Sequence, residues 1–253
     1  MPSLIRSNLV KIYKRLFQSF GPQHWWPGDT PFEIIVGAIL TQNTNWGNVE
    51  KAIRNLKNEN LLSPRAFHRA PRERLASVIR SAGYFNVKAK RLKNFVDFLF
   101  NRYWGDLRKM RKTPIEILRK ELLAVNGIGP ETADSILLYA FDKPVFVIDA
   151  YTKRIFYRHN FIDRAADYHQ AQDLMANNLR KDTRLFNEYH ALIVRLGKDF
   201  CRPNPRCEGC PLKNIRYSLV NRCRRCYRAF TAGEKYRSKG RLCRHCQEGI
   251  RTN

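Results

Sequence analysis

The sequence predicts an all-α protein of 253 residues with a small cysteine-rich extension at its C-terminal end. Up to about residue 200, apolar residues recur every three or four positions, and polar or turn-forming residues separate the segments, as in amphipathic helices. Only the segment Val-Phe-Val-Ile at 145–148 resembles a strand, and it is too short to found a sheet. All seven cysteines follow residue 200.

Ten helices account for the periodicity of the first part of the chain. Pro31, Pro71 and Pro114 fall near helix starts, where the missing N–H of proline costs little. We interpret 1–200 as the helical domain, 201–215 as a cysteine loop and 216–253 as a basic tail that needs a metal to fold. The predicted helices are 4–20, 32–40, 47–56, 72–80, 87–103, 114–125, 131–139, 150–157, 168–179 and 186–200.

The charge balance indicates a polyanionic partner. Lys and Arg total 47 against 22 Asp and Glu, which gives a formal net charge of +25 spread along the whole chain. Because cations that neutralise phosphates release counterions, this charge favours nucleic acid, with general solubility as the alternative. The first 20 residues lack the apolar core of a signal peptide, and no run reaches membrane-spanning length. We therefore expect a protein of the reducing cytosol that binds no membrane.

The segment Val-Asn-Gly-Ile-Gly-Pro-Glu-Thr-Ala at 125–133 is the most informative motif. Gly127 and Gly129 in a tight hairpin would expose consecutive N–H groups beside a helix N-terminus, where the helix dipole favours negative charge. This pattern predicts a phosphate site, although a plain helix-to-helix turn is the alternative. Asp149 follows about twenty residues later and would lie near the bound group, but its position equally suits an N-cap. The motif suggests chemistry on nucleic acid.

Four cysteines form a pattern typical of structural zinc. Cys223 and Cys226 make one C-x2-C pair, and Cys243 and Cys246 make a second one, with sixteen residues between the pairs. Two such pairs give tetrahedral thiolate coordination, so we expect a zinc ribbon, since disulfides are rare in a reducing cytosol. The many Lys and Arg residues between 222 and 244 would add a phosphate-binding surface, with a solvated basic face as the alternative.

Five motifs in order make the chain resemble the helix-hairpin-helix DNA glycosylases related to endonuclease III. The resemblance runs from about Trp25 to Leu212, and 1–200 would form the two-lobed HhH-GPD glycosylase domain. Within the family, the segments 25–27, 41–44 and 83–86 are most similar to bacterial 3-methyladenine glycosylases. The five motifs are Leu-Thr-Gln-Asn-Thr at 40–44, Ser-Ala-Gly-Tyr-Phe-Asn at 81–86 with Lys-Ala-Lys at 88–90, the hairpin 126–132, Val-Ile-Asp at 147–149 and Cys-Glu-Gly-Cys-Pro-Leu at 207–212.

The resemblance implies roles for individual residues. Asp149 would be the catalytic carboxylate, which stabilises positive charge on the sugar or activates water once the nucleotide has been extruded from the duplex. Gln42 would fill the gap in the duplex, and Tyr84 would wedge against the opposite strand. The alternatives are a helix cap for Gln42 and a core aromatic for Tyr84. The hairpin would bind the DNA backbone through Gly127, Gly129 and Thr132.

The resemblance also places Trp25, Trp26 and Trp46 around the flipped base, with core packing as the alternative. An alkylated purine is cationic, so stacking would add roughly 0.5–2 kcal/mol of cation–π attraction. We expect a glycosylase of base excision repair that acts on damaged, alkylated purines in double-stranded DNA. The alternatives are a glycosylase for mismatched or deaminated bases and a catalytically silent DNA-binding protein. Retention of both Asp149 and Gln42 argues against the silent protein, because binding needs neither.

One departure from the family pattern concerns strand cleavage. Members that also cut the DNA backbone carry a lysine two residues after the second hairpin glycine, and this chain has Glu131 there. Without that amine no Schiff base with the sugar forms. We therefore expect a monofunctional enzyme without lyase activity, acting as a monomer associated with the nucleoid.

A second departure concerns the iron–sulfur loop. Cys201, Cys207 and Cys210 resemble the first three ligands of the family's [4Fe-4S] cluster, but Arg216 stands where the last cysteine belongs. Because a cubane cluster normally needs four thiolates, a bound cluster would require Cys223 to reach back. A degenerate structural loop is the alternative.

Overall fold

The computed structural model describes residues 2–215, 221–222 and 229–230. The chain divides into two compact units, each built from separate stretches of sequence. Unit 1 contains the residues up to Gln23, Ile148–Lys181 and those from Glu188 onward, and unit 2 contains His24–Val147 and Asp182–Asn187. Among the described helices, none combines the length and apolar character that crossing a membrane requires. The division at residues 200 and 215 stays a prediction.

The described residues form twelve α-helices, so the predicted all-α fold is confirmed. All ten predicted helices are present, with ends that differ by a few residues. The helices are α1 Pro2–Phe20, α2 Pro31–Leu40, α3 Trp46–Asn58, α4 Pro64–Arg69, α5 Arg72–Val78, α6 Phe85–Tyr103, α7 Leu107–Lys112, α8 Ile115–Ala124, α9 Pro130–Ser135, α10 Ala150–Arg158, α11 Tyr168–Ala176 and α12 Thr183–Asp199.

The sequence pattern missed α4 and α7 because six residues are too few to show a helical period. Two other segments end differently from the prediction. After α5 the chain adds a 3-10 turn at Arg80–Ala82, and α9 continues as a π-helical turn at Ile136–Ala140.

The strand-like segment at 145–148 does not form a strand, because these residues have no regular secondary structure. Phe146, Val147 and Ile148 are each 1% exposed, so their apolar character reflects burial and not strand pairing. Among the described residues, the strands are two short ones in the tail, β1 Asn221–Arg222 and β2 Ala229–Phe230, which pair antiparallel.

Side-chain caps explain where several helices begin. Thr30 accepts a hydrogen bond from the backbone N–H of Glu33 at the start of α2, and Pro31 occupies the first helical position. Asn45 and Ser63 cap α3 and α4 in the same way. These caps satisfy backbone donors that have no partner inside the helix.

Each unit has its own apolar core. In unit 1, Leu9, Ile12 and Leu16 lie on one face of α1 at helical spacing, and the hydroxyl of Tyr189 donates to the carbonyl of Leu9 at 2.9 Å. In unit 2, residues of α2, α5, α6 and α8 form a continuous buried cluster around Phe95.

Candidate functional site

The hairpin between α8 and α9 requires glycine at one of its two glycine positions. Gly127 has φ +97°, and a Cβ there would lie 2.3 Å from Cγ of Arg91. Gly129 has φ −90° as the N-cap of α9, and a Cβ there would meet nothing within 4 Å. Gly127 is therefore needed for the turn itself, whereas Gly129 leaves open space in front of the backbone.

Polar contacts within unit 2 hold this hairpin in place. Arg119 on α8 donates from Nε and Nη2 to the carboxylate of Asp134 on α9, at 2.7 and 3.0 Å. Asp134 is fully buried, so this two-point pairing ties the two helices that flank the turn. Nδ2 of Asn94 on α6 donates to the carbonyl of Asn126 at 2.9 Å. Three helices thus fix the position of the hairpin.

Gln42 lies against the hairpin and does not cap a helix. Its Nε2 donates to the carbonyl of Gly127 at 3.0 Å and to Oγ1 of Thr132 at 2.9 Å. Its Oε1 accepts a hydrogen bond from Nη1 of Arg91. The C-cap of α2 is Thr41, so the helix-cap alternative for Gln42 is excluded. Gln42 and the hairpin are therefore in contact, although they lie far apart in the sequence and the sequence analysis did not predict this contact.

Tyr84 is a surface residue, so the core alternative is excluded. Its side chain is 73% exposed. Gly83 and Tyr84 both have positive φ, at 67° and 47°, and they form the turn that leads into α6. A turn of this kind presents the ring to solvent at the start of a well-packed helix.

The three predicted pocket tryptophans form one aromatic cluster. Trp25 lies 5.1 Å from Trp26 and 5.5 Å from Trp46 between ring centroids, and Trp26 lies 5.3 Å from Trp46. Each ring is half-buried. Trp26 also packs on α2, where a Cβ at Gly37 would lie 3.2 Å from the indole nitrogen. The rings therefore serve packing on one side and remain partly accessible on the other.

A cavity of about 380 Å³ in unit 2 is lined by Trp26 and Trp46, although not by Trp25. Its volume falls within the range of small-molecule sites. Hydrogen bonds to Asp29 and then to Glu33 raise the pKa of Lys57, which lies 2.7 and 2.8 Å from their carboxylate oxygens. The charged lining residues are Asp29, Glu33, Glu50, Arg54 and Lys57.

Asp149 in unit 1 uses its two carboxylate oxygens differently. Oδ1 accepts from the backbone N–H and from Oγ1 of Thr152, both at 2.7 Å, so Asp149 is the N-cap of α10. Oδ2 lies 3.8 Å from Nε2 of His190, beyond hydrogen-bond distance. The N-cap alternative is confirmed, and it leaves the second oxygen outside the cap.

His190 is a neighbour of Asp149 that the sequence reasoning missed. It lies on α12 and is 5% exposed. Burial lowers the pKa of His190, although the nearby Asp149 carboxylate acts in the opposite direction. A single histidine inside an apolar helical pattern does not indicate in the sequence that it lies beside Asp149. The contact between Arg91 and Gln42 was equally invisible in the sequence.

Three of the cysteines considered for an iron–sulfur cluster lie among the described residues, and Cys223, the fourth candidate, does not. Cys201 is buried, and its Sγ lies 3.4 Å from Nη1 of Arg158. Cys207 is exposed and Cys210 is half-buried. Within residues 2–215, no group of three or more Cys, His, Asp or Glu is placed to hold a metal. The four zinc candidates, Cys223, Cys226, Cys243 and Cys246, lie outside the described residues.

Comparisons with known proteins agree with this architecture. The family model described as "HhH-GPD superfamily base excision DNA repair protein" matches residues 36–181. A Methanocaldococcus jannaschii protein named "Putative DNA repair glycosylase" is 50% identical over 209 residues, which are 82% of this chain and 94% of that protein. Endonuclease III of Thermotoga maritima is 29% identical over 185 residues, or 73% of this chain and 81% of the relative.

Solved structures give the same result. The crystal structure of an H. pylori 3-methyladenine DNA glycosylase bound to 1,N6-ethenoadenine has a TM-score of 0.64 and 29% identity, and covers 75% of this chain and 97% of its own. A non-covalent endonuclease III–DNA complex has a TM-score of 0.72 at 22% identity, and covers 83% of this chain and 94% of its own. At that lower identity the second likeness shows a shared fold.

Proposed function

Because this chain belongs to the HhH-GPD superfamily of base excision DNA repair proteins, we propose that it is a monofunctional DNA glycosylase for alkylated purines. It hydrolyses the bond between the damaged base and deoxyribose and leaves an abasic site. The observation that carries the proposal is the carboxylate of Asp149, which keeps one oxygen outside its helix cap. The helix cap uses only one acceptor oxygen, so the cap alone does not account for the second oxygen of the carboxylate.

Asp149 supplies the negative charge that the reaction needs. Cleavage of a glycosidic bond passes through a cationic sugar, which a carboxylate stabilises directly or by activating water on the opposite face. Since Oδ1 is held by Thr152, the orientation of Oδ2 is set before substrate binds. Burial lowers the pKa of His190, which favours the neutral imidazole beside the carboxylate.

The hairpin and two side chains of unit 2 bind the DNA backbone and stabilise the extruded state of the duplex. Backbone N–H groups of Gly127 and Gly129 bind a phosphate next to the lesion, in the open space in front of Gly129. Extruding a nucleotide leaves a gap in the stack, which Gln42 fills from the loop after α2, where it contacts the hairpin. Tyr84, exposed and placed at a tight turn, wedges against the opposite strand.

The surroundings of Glu131 and of two nearby lysines support the proposal that the protein lacks lyase activity. Glu131 occupies the first turn of α9 and is exposed where an amine would be needed. Burial lowers the pKa of Lys88 and of Lys143, which would favour a neutral nucleophilic amine. However, Lys88 is 1% exposed, and Nζ of Lys143 donates to the carbonyl of Thr113 at 2.7 Å. Neither amine is placed to attack a sugar.

Charge and aromatic faces support a cationic purine as the substrate. The cavity beside Trp26 and Trp46 has three carboxylates against two cationic side chains, in a chain whose net charge is +25. Lys57 pairs with Asp29 and Glu33, so the excess negative charge of the lining is small, and the indole faces supply the main preference for a positively charged base. This preference favours alkylated purines over mismatched or deaminated bases.

Zinc is the metal we propose for the tail. Cys223, Cys226, Cys243 and Cys246 have the spacing of a four-thiolate ribbon, and such sites supply folding free energy to segments with little apolar core. Elemental analysis of the purified protein is expected to give one zinc per chain, and substitution of Cys243 by Ser to remove it. An iron–sulfur absorption band in place of zinc would contradict this assignment.

One experiment tests the catalytic proposal. The protein is incubated with duplexes that carry 7-methylguanine, 3-methyladenine, hypoxanthine, uracil or a G·T mismatch, and products are compared before and after hot alkali. We expect strand breaks only after alkali, and only for the alkylated purines. Direct nicking would contradict the monofunctional assignment, release of uracil or thymine would contradict the substrate class, and no release from any duplex would contradict the glycosylase proposal.

A further inference from the structure

Lys88 on α6 is a buried cation whose acceptors are all neutral. Its Nζ donates to the carbonyl of Leu40 at 2.7 Å, to Oγ1 of Thr44 at 2.5 Å and to the carbonyl of Ala82 at 2.9 Å. These contacts use all three donors of the ammonium group. The residue is 1% exposed, so no water replaces a missing contact.

Placing a lysine here is costly, and packing does not explain it. Lysine is almost never fully buried without a charged partner, because the ammonium loses its hydration. Burial, with a smaller contribution from the nearby Arg91, lowers the pKa of Lys88 to about 8. A methionine would fill similar space without that penalty. Lys88 is therefore needed for its three hydrogen-bond donors and not for the space that its side chain fills.

The three acceptors belong to two particular segments. Leu40 is the last residue of α2 and Thr44 lies in the loop that follows, so together they flank Gln42. Ala82 is the last residue of the 3-10 turn and directly precedes the turn that carries Tyr84. Oγ1 of Thr44 also donates to the carbonyl of Ala82 at 2.6 Å. One ammonium group thus joins both ends of the Gln42 loop to the start of the Tyr84 turn.

We propose that Lys88 is a positioning residue for base extrusion, holding the Gln42 loop and the Tyr84 turn at the separation at which both side chains enter the duplex together. The inference rests on the proposed function, in which Gln42 fills the gap and Tyr84 acts as a wedge. Two loops that were ordered separately on binding would each lose conformational entropy at that moment. Lys88 orders both loops in advance, and it does not touch the reacting bond.

The test separates extrusion from chemistry. Single-turnover excision of 7-methylguanine is measured with the base opposite cytosine and with the base opposite an abasic-site analogue, where extrusion costs less because no pairing is lost. Lys88→Met is expected to slow excision roughly tenfold or more in the paired duplex and by less than about threefold opposite the abasic analogue. Lys88→Arg, which keeps the cation, is expected to recover part of the loss. Lys51→Met, on an exposed lysine of α3, is the matched control.

Other results would overturn the assignment. Equal losses on both substrates would mean that Lys88 only supports the fold, and unchanged excision on both would mean that the three contacts are dispensable. If Lys88→Met does not fold, Thr44→Val removes the hydroxyl that accepts from Lys88 and donates to Ala82, and it is expected to give a smaller loss that is again larger in the paired duplex.

A fluorescence measurement keeps this inference separate from the glycosylase proposal. The emission of 2-aminopurine placed at the target position reports unstacking whether or not any base is cleaved. Lys88→Met is expected to lower the protein-dependent increase in emission, and Lys51→Met to leave it unchanged. If the native protein increases the emission but releases no base, the glycosylase proposal fails while the role of Lys88 is still tested. An equal increase in the native protein and Lys88→Met would contradict that role.

Discussion

Oδ2 of Asp149 lies 3.8 Å from Nε2 of His190, whereas Oδ1 of the same carboxylate accepts both hydrogen bonds from Thr152. One oxygen therefore serves the start of α10, and the other faces a histidine whose pKa burial lowers. A structural role and a chemical role coexist in one side chain. This arrangement allows a substitution that removes the second role while keeping the first.

Asp149→Asn is expected to abolish base release while leaving the fold and DNA affinity largely unchanged. The amide oxygen can still accept from Thr152, but the negative charge is lost, which costs a rate factor of about 100 or more. Excision under single-turnover conditions and DNA binding by fluorescence anisotropy measure the two effects. Asp167→Asn, at the N-cap of α11, is the matched control and is expected to excise normally. Full turnover by Asp149→Asn would refute the catalytic assignment.

The two hairpin glycines are expected to respond differently to alanine. Gly127→Ala places a side chain at positive φ and against Arg91, so we expect a loss of about 1–2 kcal/mol in the free energy of unfolding, together with weaker DNA binding. Gly129→Ala meets no protein atom within 4 Å, so its stability is expected to stay within about 0.5 kcal/mol. Chemical denaturation and anisotropy measure both variants.

DNA binding by Gly129→Ala is the sharper of these measurements. If a phosphate approaches the backbone at this position, the added methyl group obstructs it, and affinity falls although the protein is as stable as before. Unchanged affinity would mean that the open space in front of Gly129 is not where phosphate binds.

Glu131→Lys is expected to introduce covalent trapping on abasic DNA. An amine in the first turn of α9 stands where lyase members of the family carry theirs, so a Schiff base can form and be reduced by borohydride. The native protein is expected to give no trapped adduct. Glu116→Lys in the first turn of α8 makes the same change of charge and is expected to give none either. Trapping of the native protein would contradict monofunctional chemistry.

The lowered pKa of Lys88 predicts a dependence of stability on pH. Its pKa falls from 10.5 in the unfolded chain to about 8 in the folded protein, so between these values the unfolded state binds more protons. The free energy of unfolding then rises with pH across this window, by up to about 3 kcal/mol. Urea denaturation at pH 7.5 and pH 10 is expected to show this rise in the native protein relative to Lys88→Met. A constant difference would mean that the buried amine does not titrate there.

Much of the local structure was predictable because its causes are local. Apolar spacing predicted ten of the described helices, and the hairpin glycines and the N-cap position of Asp149 were visible in short segments. The segment 145–148 resembled a strand because a short apolar run has the same pattern in a strand and in a buried irregular segment.

The site itself depended on contacts that periodicity does not encode. Gln42 and Gly127 are 85 positions apart, and Lys88 and Leu40 are 48 apart. Nothing in the segment around Lys88 indicates that its ammonium group would be buried among carbonyls, since lysine at a helical position is ordinarily solvated.

The sequence by itself determined ten of the described helices, the N-cap position of Asp149 and the family of this protein, because each depends on residue types within short segments. Tertiary structure alone decided that Gln42 contacts the hairpin and that His190 faces Asp149. It also decided that Lys88 joins the Gln42 loop to the Tyr84 turn. The physical reason is that these contacts bring together groups from distant helices, and only the packing of whole cores sets which groups meet.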